Sequence, residues 1–330
     1  MEPNRKRLLP GAFLFCLTAA VFSLLLGAVR LSPGDLVEAM LSGPSSTAGY
    51  IFWYARLPRT LACLLSGAAL AVSGAVIQAV LSNRLASPGI IGVNAGAGLA
   101  VTVCCALGLL SGWTIALSAF GGAMASVLLV MFTAEKTGAS RTTVILGGVA
   151  VNSFLGALSE ALTTLVPDAG VLSGDFRVGG FSSVVPARLI PAGILILAAL
   201  ALILSLRNDL DVLALGEETA QSLGLSVKKM RTLFLILAAM MAGASVSFAG
   251  LLGFVGLIVP HAVRNLAGSE NRLVLPLCAV VGAGFVTACD LAARLLFLPY
   301  ELPVGILMSV LGGPFFLALL LKRKGGRNYA

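Results

Sequence analysis

The chain has 330 residues, 58% of them hydrophobic and only 11% charged, with a net charge of +8 and a mean hydropathy of +1.01. A soluble domain carries roughly 25% charged residues, so the composition excludes a soluble enzyme and describes an integral membrane protein. The basic residues lie mostly between apolar runs, where they set topology and do not gather as a nucleic-acid patch.

In chain order, Arg5, Lys6 and Arg7 precede an apolar run over 8–29. That run is long for a signal sequence and no A-x-A site follows it, so it predicts an uncleaved first span with its basic end in the cytoplasm. LSPGDLVEAML, within 31–50, predicts one short surface helix. Apolar runs follow at 57–81, 90–111, 113–133 and 143–166. The segment 166–187 is broken by Pro167, Gly170, Gly174, Gly179, Gly180 and Pro186, and another run occupies 189–206.

A long polar interruption comes next, RNDLDVLALGEETAQSLGLSVKKMR at 207–231. Its spacing predicts two short amphipathic helices broken at Gly216, with Glu217 and Glu218 at the start of the second and Gly224 at its end. Runs at 232–249, 254–268, 272–297 and 303–321 complete the chain. The expected architecture is all-α: ten transmembrane helices in one membrane domain over 1–330, both termini on one side. With the N-terminus inside, most Lys and Arg fall in cytoplasmic segments, and the 207–231 loop falls there too.

A weak internal repeat accompanies the spans. SGAALAVSG at 66–74 resembles AGASVSFAG at 242–250, and LGG at 146–148 is echoed at 311–313. Matching spans would run in opposite directions, as an inverted repeat requires.

Chemistry-bearing motifs are few. No G-x-x-x-x-G-K-[ST] occurs, so the chain holds no ATP through a P-loop. GVNAGAG at 92–98 opens an apolar span and reads as helix packing. Six cysteines, Cys16, Cys63, Cys104, Cys105, Cys278 and Cys289, lie in apolar runs without metal-ligand spacing. The lone His261 reads as a solvated or capping side chain. Membrane-depth charge is limited to Glu160, Asp290 and Arg294, and the last two are four apart and can pair. Little is left for an ion relay, so the energy for any transport would have to enter elsewhere. Arg56 and Arg59, one turn apart before a span, offer with Arg294 either a basic surface for carboxylates of an extracytoplasmic protein or anchors for lipid headgroups.

The stretch RLPRTLACLLSGAALAVSGAVIQAVLSNRLASPGIIGVNAGAGLA at 56–100 resembles the FecCD-type iron-chelate permeases. So do LGEETAQSLGL at 215–225, GLLGFVGLIVPHAVRNLAG at 250–268 and ELPVGILMSVLGGPFFLALLLKR at 301–323. The resemblance spans nearly the whole chain. It implies a type II ABC importer permease, working with a second copy of itself or a paralogous permease. It further implies two cytoplasmic ATPases that hold ATP and Mg, an extracytoplasmic substrate-binding protein, and no cofactor on this chain.

Carried over, Arg56, Arg59 and Arg294 match positions that accept glutamates of the binding protein. Leu215, Gly216, Glu217, Glu218, Ala220, Leu223 and Gly224 match the helices that couple to the ATPase. Asn83 and Leu85, with Thr142 and Thr143, match the inner gate. Two departures stand out: Arg84 occupies a position usually proline, and FRVGGF replaces the common outer W-x-x-G-S-L pattern. Arg177 there is a candidate contact either for an anionic cargo or for lipid headgroups. The expected cargo is an iron chelate, first a ferric siderophore, with haem or cobalamin as alternatives. The expected location is the bacterial cytoplasmic membrane. An ion-coupled secondary transporter remains open as a second class, and an intramembrane hydrolase lacks any paired nucleophile and base.

Overall fold

The computed structural model describes residues 5–27, 29, 32–136 and 141–324, and every regular element among them is helical. In order these are α1 (Arg5–Leu25), α2 (Pro33–Ser42), α3 (Thr47–Tyr50), α4 (Leu57–Val80), α5 (Val93–Ala106), α6 (Gly112–Lys136), α7 (Arg141–Leu165) and α8 (Pro167–Leu172). Then come α9 (Gly174–Val178), α10 (Pro186–Ser205), α11 (Arg207–Ala214), α12 (Glu217–Ser222), α13 (Val227–Ala249), α14 (Val255–Ala267), α15 (Asn271–Leu295) and α16 (Val304–Lys324). A π-helical turn, Ile51–Arg56, joins α3 to α4. Pro58 has no N–H to return to the preceding turn, and the helix widens just before it.

Among the described residues, seven helices are long and apolar enough to cross a membrane, the α3–α4 run counting as one. Helix α5 and the Val304–Leu319 stretch of α16 are apolar but shorter, and α14 has only 13 residues. The irregular backbone ahead of α5 and α14, at 82–92 and 250–254, is buried or half-buried except at Ser82 and Arg84, which are exposed; such backbone is tolerated in a membrane protein where protein surrounds it.

The surface helix expected in 31–50 is α2. Ser32 caps it: its Oγ accepts from the Asp35 N–H at 3.1 Å, and the Asp35 carboxylate accepts from the Ser32 N–H at 2.8 Å. These hydrogen bonds hold the Asp35 pKa below its ordinary value, so the box is closed above the usual carboxylate range and opens as pH falls through that lowered value. Trp53 Nε1 donates to the Ala39 carbonyl at 3.0 Å, fastening α2 to the π turn.

The two halves of the chain repeat. Helices α4, α5, α6 and α7 have 24, 14, 25 and 25 residues; α13, α14, α15 and α16 have 23, 13, 25 and 21. Packing is reciprocal: α4 lies on α15 and α14, α13 lies on α6 and α5, and α4 meets α13 between them. Ser66 Oγ contacts Ser245 Oγ at 2.6 Å and Ser73 Oγ donates to the Ala238 carbonyl at 2.7 Å. Seven residues forward on α4 are therefore seven backward on α13, so the two run antiparallel, as an inverted repeat demands. Both short helices start from a left-handed residue, Gly92 at φ +101° and Phe254 at φ +64°.

The repeated LGG serves this same junction. A Cβ on Gly148 would strike the Ile90 carbonyl, and one on Gly312 would strike the Phe254 ring. In each half a glycine of the motif, the second in α7 and the first in α16, lets the last helix close over the loop that starts the short one. Elsewhere α4 meets α15 at Gly67 and Gly282, and α5 meets α6 at Gly96 and Gly122, the small-residue contacts by which membrane helices approach closely.

The core sits on α4, α13 and α15, whose apolar windows are 78%, 72% and 61% buried within the chain. For α1, α7 and α10 the shares are 11%, 22% and 33%, so these helices present their apolar faces outward. All six cysteines are free, five of them buried.

Candidate functional site

The bundle has two ends with different chemistry. At one end the three predicted arginines come together, and most of their hydrogen-bonding capacity is used internally. Arg59 grips Asp290 with Nε and Nη2 at 3.0–3.3 Å, while its Nη1 reaches Glu301 at 2.7 Å. Arg294 stands on the other side of Asp290, with Nε 3.0 Å from Oδ2; the N–H is not aimed at the oxygen, so this is an ion pair and not an aligned hydrogen bond. Its Nη2 donates to Ser23 Oγ at 2.8 Å. The i,i+4 pair read from sequence therefore forms, and Asp290, 1% exposed, serves two guanidiniums at once.

Arg56 is buried and, among the described residues, forms no ion pair with a carboxylate. It donates to the Leu26 carbonyl, to the Val29 carbonyl at 2.5 Å and to Ser23 O at 3.4 Å. Ser23 lies in the last turn of α1 and Leu26 directly follows that helix, so Arg56 caps it and offsets its dipole, reaching on to the chain beyond at Val29. Gly27 is required beside it, because a Cβ there would collide with the guanidinium. A cavity of about 270 Å³ opens over the cluster, lined by Tyr54, Arg56, Arg59, Phe181, Arg294 and Glu301. Arg59 is the most accessible of the three arginines, with a side chain 15% exposed.

Sequence reading found the arginines but missed their duties. Glu301 lay inside a quoted motif without an assigned partner, and Ser23 carried no signal at all.

The glycine-rich segment beside the cluster is held by backbone hydrogen bonds. Gly180 N–H donates to Ala249 O at 2.8 Å, Leu251 N–H to Phe176 O at 2.9 Å and Gly305 N–H to Gly179 O at 3.2 Å. It thereby bridges the C-terminus of α13 and the N-terminus of α16. Gly179, Gly250 and Gly305 allow that approach, since a Cβ on any of them would enter a facing backbone. Arg177 projects outward from this segment and is exposed.

At the other end lies the polar loop, folded as two helices broken at Gly216, whose φ of +122° favours glycine. Leu225 N–H returns to Ala220 O at 3.0 Å around Gly224 at φ +83°, a Schellman-type end. Leu210, Leu213 and Ala220 are fully buried and seat the two helices on the bundle. Leu215 and Leu223 are 65% and 63% exposed, and Glu218 is exposed beside them. Two polar contacts tie the loop down. Glu217 accepts from Arg231 at 2.9 Å on the first turns of α13, and Asp211 Oδ1 accepts from the Asn271 N–H at 3.0 Å and from its Nδ2 at 2.8 Å at the start of α15.

The predicted inner-gate residues share this end. Asn83 Oδ1 accepts from the Leu85 N–H at 2.9 Å, fixing the turn after α4. Asn152 on α7 donates to Gly89 O at 2.7 Å and Ile90 O at 3.1 Å, which brings the turn and α7 into one unit. Thr142 is exposed and Thr143 half-buried on the first turn of α7, while Arg84 points outward. His261 packs half-buried with its ring edge-on to Phe315, centroids 5.8 Å apart.

A family model described as the FecCD transport family matches residues 14–322. The chain belongs to the FecCD transport family. A relative from Klebsiella pneumoniae, named as a vitamin B12 import system permease protein BtuC, is 38% identical over 98% of this chain and 96% of its own. The protein of the same name from Salmonella typhi is 39% identical over 94% and 93%. A solved structure, described as the inward-facing conformation of an ABC transporter assigned to the metal-chelate type, has TM-score 0.86 and 29% identity, covering 96% of this chain and 99% of the other. PsaBC from Streptococcus pneumoniae shares the fold at TM-score 0.58 and 16% identity, over 86% and 94%. The chain is thus a multi-pass transport permease of the ABC importer class and not an enzyme.

Proposed function

We propose that the chain is the path-forming subunit of an ATP-driven cobalamin importer, working as a pair with two ATPases and a substrate-binding protein. The observation that carries the cargo is the 38–39% identity, over nine-tenths or more of each chain, to permeases named for vitamin B12 import. It favours cobalamin, the last of the cargo alternatives open in the sequence, over the ferric siderophore that stood first.

In this reading ten helices span, with both termini and the 207–231 loop in the cytoplasm. The binding protein docks at the arginine end, where a carboxylate meets Arg59 while Arg56 and Arg294 hold the surface behind it. Arg177 faces the entering cargo, and the phosphodiester of a cobalamin is an anion that an arginine accepts. The outward face of α7 repeats at helical spacing through Leu146, Val149, Ser153, Ala157, Ala161 and Thr164. Beside these stand the exposed Phe154, Leu158 and Leu165, so the outward face is largely apolar and offers a surface on which a second copy can pack. Asn83, Leu85, Thr142 and Thr143 close the path at its cytoplasmic end. The exposed Leu215, Glu218 and Leu223 enter a groove of the ATPase, and closure of the ATPases on ATP moves Gly216, Glu217, Ala220 and Gly224 with them.

Two experiments test this. The complex with its co-purified binding protein, reconstituted in liposomes, is expected to take up cyanocobalamin with ATP and to ignore a ferric hydroxamate; the reverse preference overturns the cargo. Replacing residues 217–222 by a Gly/Ser linker is expected to leave ATPase activity in place and reduce uptake at least tenfold. Full uptake would make the loop a mere connector.

A further inference from the structure

The loop's two anchors lead to different places. Glu217 on α12 holds Arg231 on α13, and α13 ends at Ala249, whose carbonyl pins Gly180 of the outer glycine-rich segment. Asp211 on α11 holds Asn271 on α15, and α15 ends in the Asp290–Arg294 pair at the arginine end. From Asn271 to Asp290 the helix rises about 29 Å at 1.5 Å per residue, close to the thickness of the hydrocarbon core. Its interior is clamped laterally by Gly67 against Gly282 and by Phe15 against Gly284. Pro276 removes one backbone rung in the second turn, and the helix runs on from there to Leu295.

The contact at Asp211 is a helix cap supplied from another element. The N-cap residue of α15, Glu270, makes no side-chain cap hydrogen bond. The first N–H of the helix, from Asn271, is taken instead by the Asp211 carboxylate, which also sits where the positive end of the α15 dipole favours an anion. Asn271 itself is 2% exposed, so displacing α11 without α15 would strand a buried donor pair.

We propose that Asp211 is a positioning residue that makes α15 a rod between the coupling loop and the docking face. Movement of α11 under the ATPase is delivered to Asp290, and so to the Arg59–Glu301 edge, while α12 acts separately through α13 on the outer segment. The two coupling helices thus address two devices, α11 the grip on the binding protein and α12 the outer closure. This rests on the importer reading above.

Linkage makes the idea measurable. If nucleotide state changes the affinity for the binding protein by some factor, the binding protein changes nucleotide affinity by the same factor. In the full complex with its binding protein, Asp211→Ala is expected to shrink both factors together, at least fivefold. It should leave nucleotide affinity without binding protein, and binding-protein affinity without nucleotide, within twofold of wild type. Asp211→Asn keeps a carbonyl acceptor for both donors and is expected to restore most of the coupling. Asn271→Ala, which keeps the N–H but loses Nδ2, should fall between them and serves if Asp211→Ala does not assemble.

Unchanged coupling in Asp211→Ala, or in Asn271→Ala where only that variant assembles, overturns the proposal. So does a loss of binding-protein affinity in the nucleotide-free state, which would make Asp211 a plain stabiliser of α15. A wild-type complex with no nucleotide-dependent affinity at all would instead remove the importer reading beneath it.

Discussion

Asp290→Ala is expected to be among the most destabilising single substitutions at the arginine end. The carboxylate is 1% exposed and stands between Arg59 and Arg294, and Arg294 is itself only 3% exposed. Removing it leaves two guanidiniums facing each other, with Glu301, held by Arg59, as a remaining anion. Breaking a buried pair by deleting one partner costs about 3–5 kcal/mol, and here one deletion breaks two pairs. The detergent-solubilised protein should melt well below wild type and insert at reduced yield. Asp290→Asn keeps an acceptor for Arg59 but not the charge and should fall about midway. Arg59→Gln should be milder than either, because the Arg59 side chain is 15% exposed and Arg294 then keeps Asp290 to itself. If Asp290→Ala melts no lower than Arg59→Gln, the cluster is not the keystone of this end.

That cluster also shows where sequence ceased to inform. The pairing of Asp290 with Arg294 was legible because both lie on one helix at i,i+4, where geometry is local. The helices themselves were legible to within a few residues, since apolar runs bounded by charge leave little choice in a membrane. The loop's two helices were equally plain, because Gly216 and Gly224 sit where only a positive φ lets the chain turn. What could not be read was which distant groups meet. Arg56 capping α1, Asp211 capping α15 and Glu301 completing Arg59 all join residues 27 to 242 positions apart in different helices or turns, with no periodicity to announce them. Arg56, Arg59 and Arg294 lie in one place, but two of the three face inward. The repeated glycines were visible as a pattern, whereas their job depends on a partner backbone that only the fold supplies.

Gly74→Ala tests that last point with a single methyl group. A Cβ at Gly74 would fall on the Gly256 carbonyl and within 2.5 Å of its C and Cα atoms. The carbonyl cannot yield alone, because Gln78 Nε2, one turn along α4, donates to it at 3.2 Å. Relief requires α14 to lift from α4, which strains the Phe254 junction at φ +64° and loosens the contact of Pro88 with Gly256. Overpacking costs typically 1–3 kcal/mol and more when backbone must move, so Gly74→Ala should lower both melting temperature and uptake strongly. Gly121→Ala, on α6 with nothing within 4 Å of its Cβ, is the control of opposite sign. Alanine is better than glycine in a helix interior by about 1 kcal/mol, so that variant should be neutral or slightly more stable. Thermal unfolding of the pair, with uptake measured in the same vesicles, separates the two cases. Equal behaviour would mean that α4 and α14 do not need their glycine contact and that the repeated motif is only sequence.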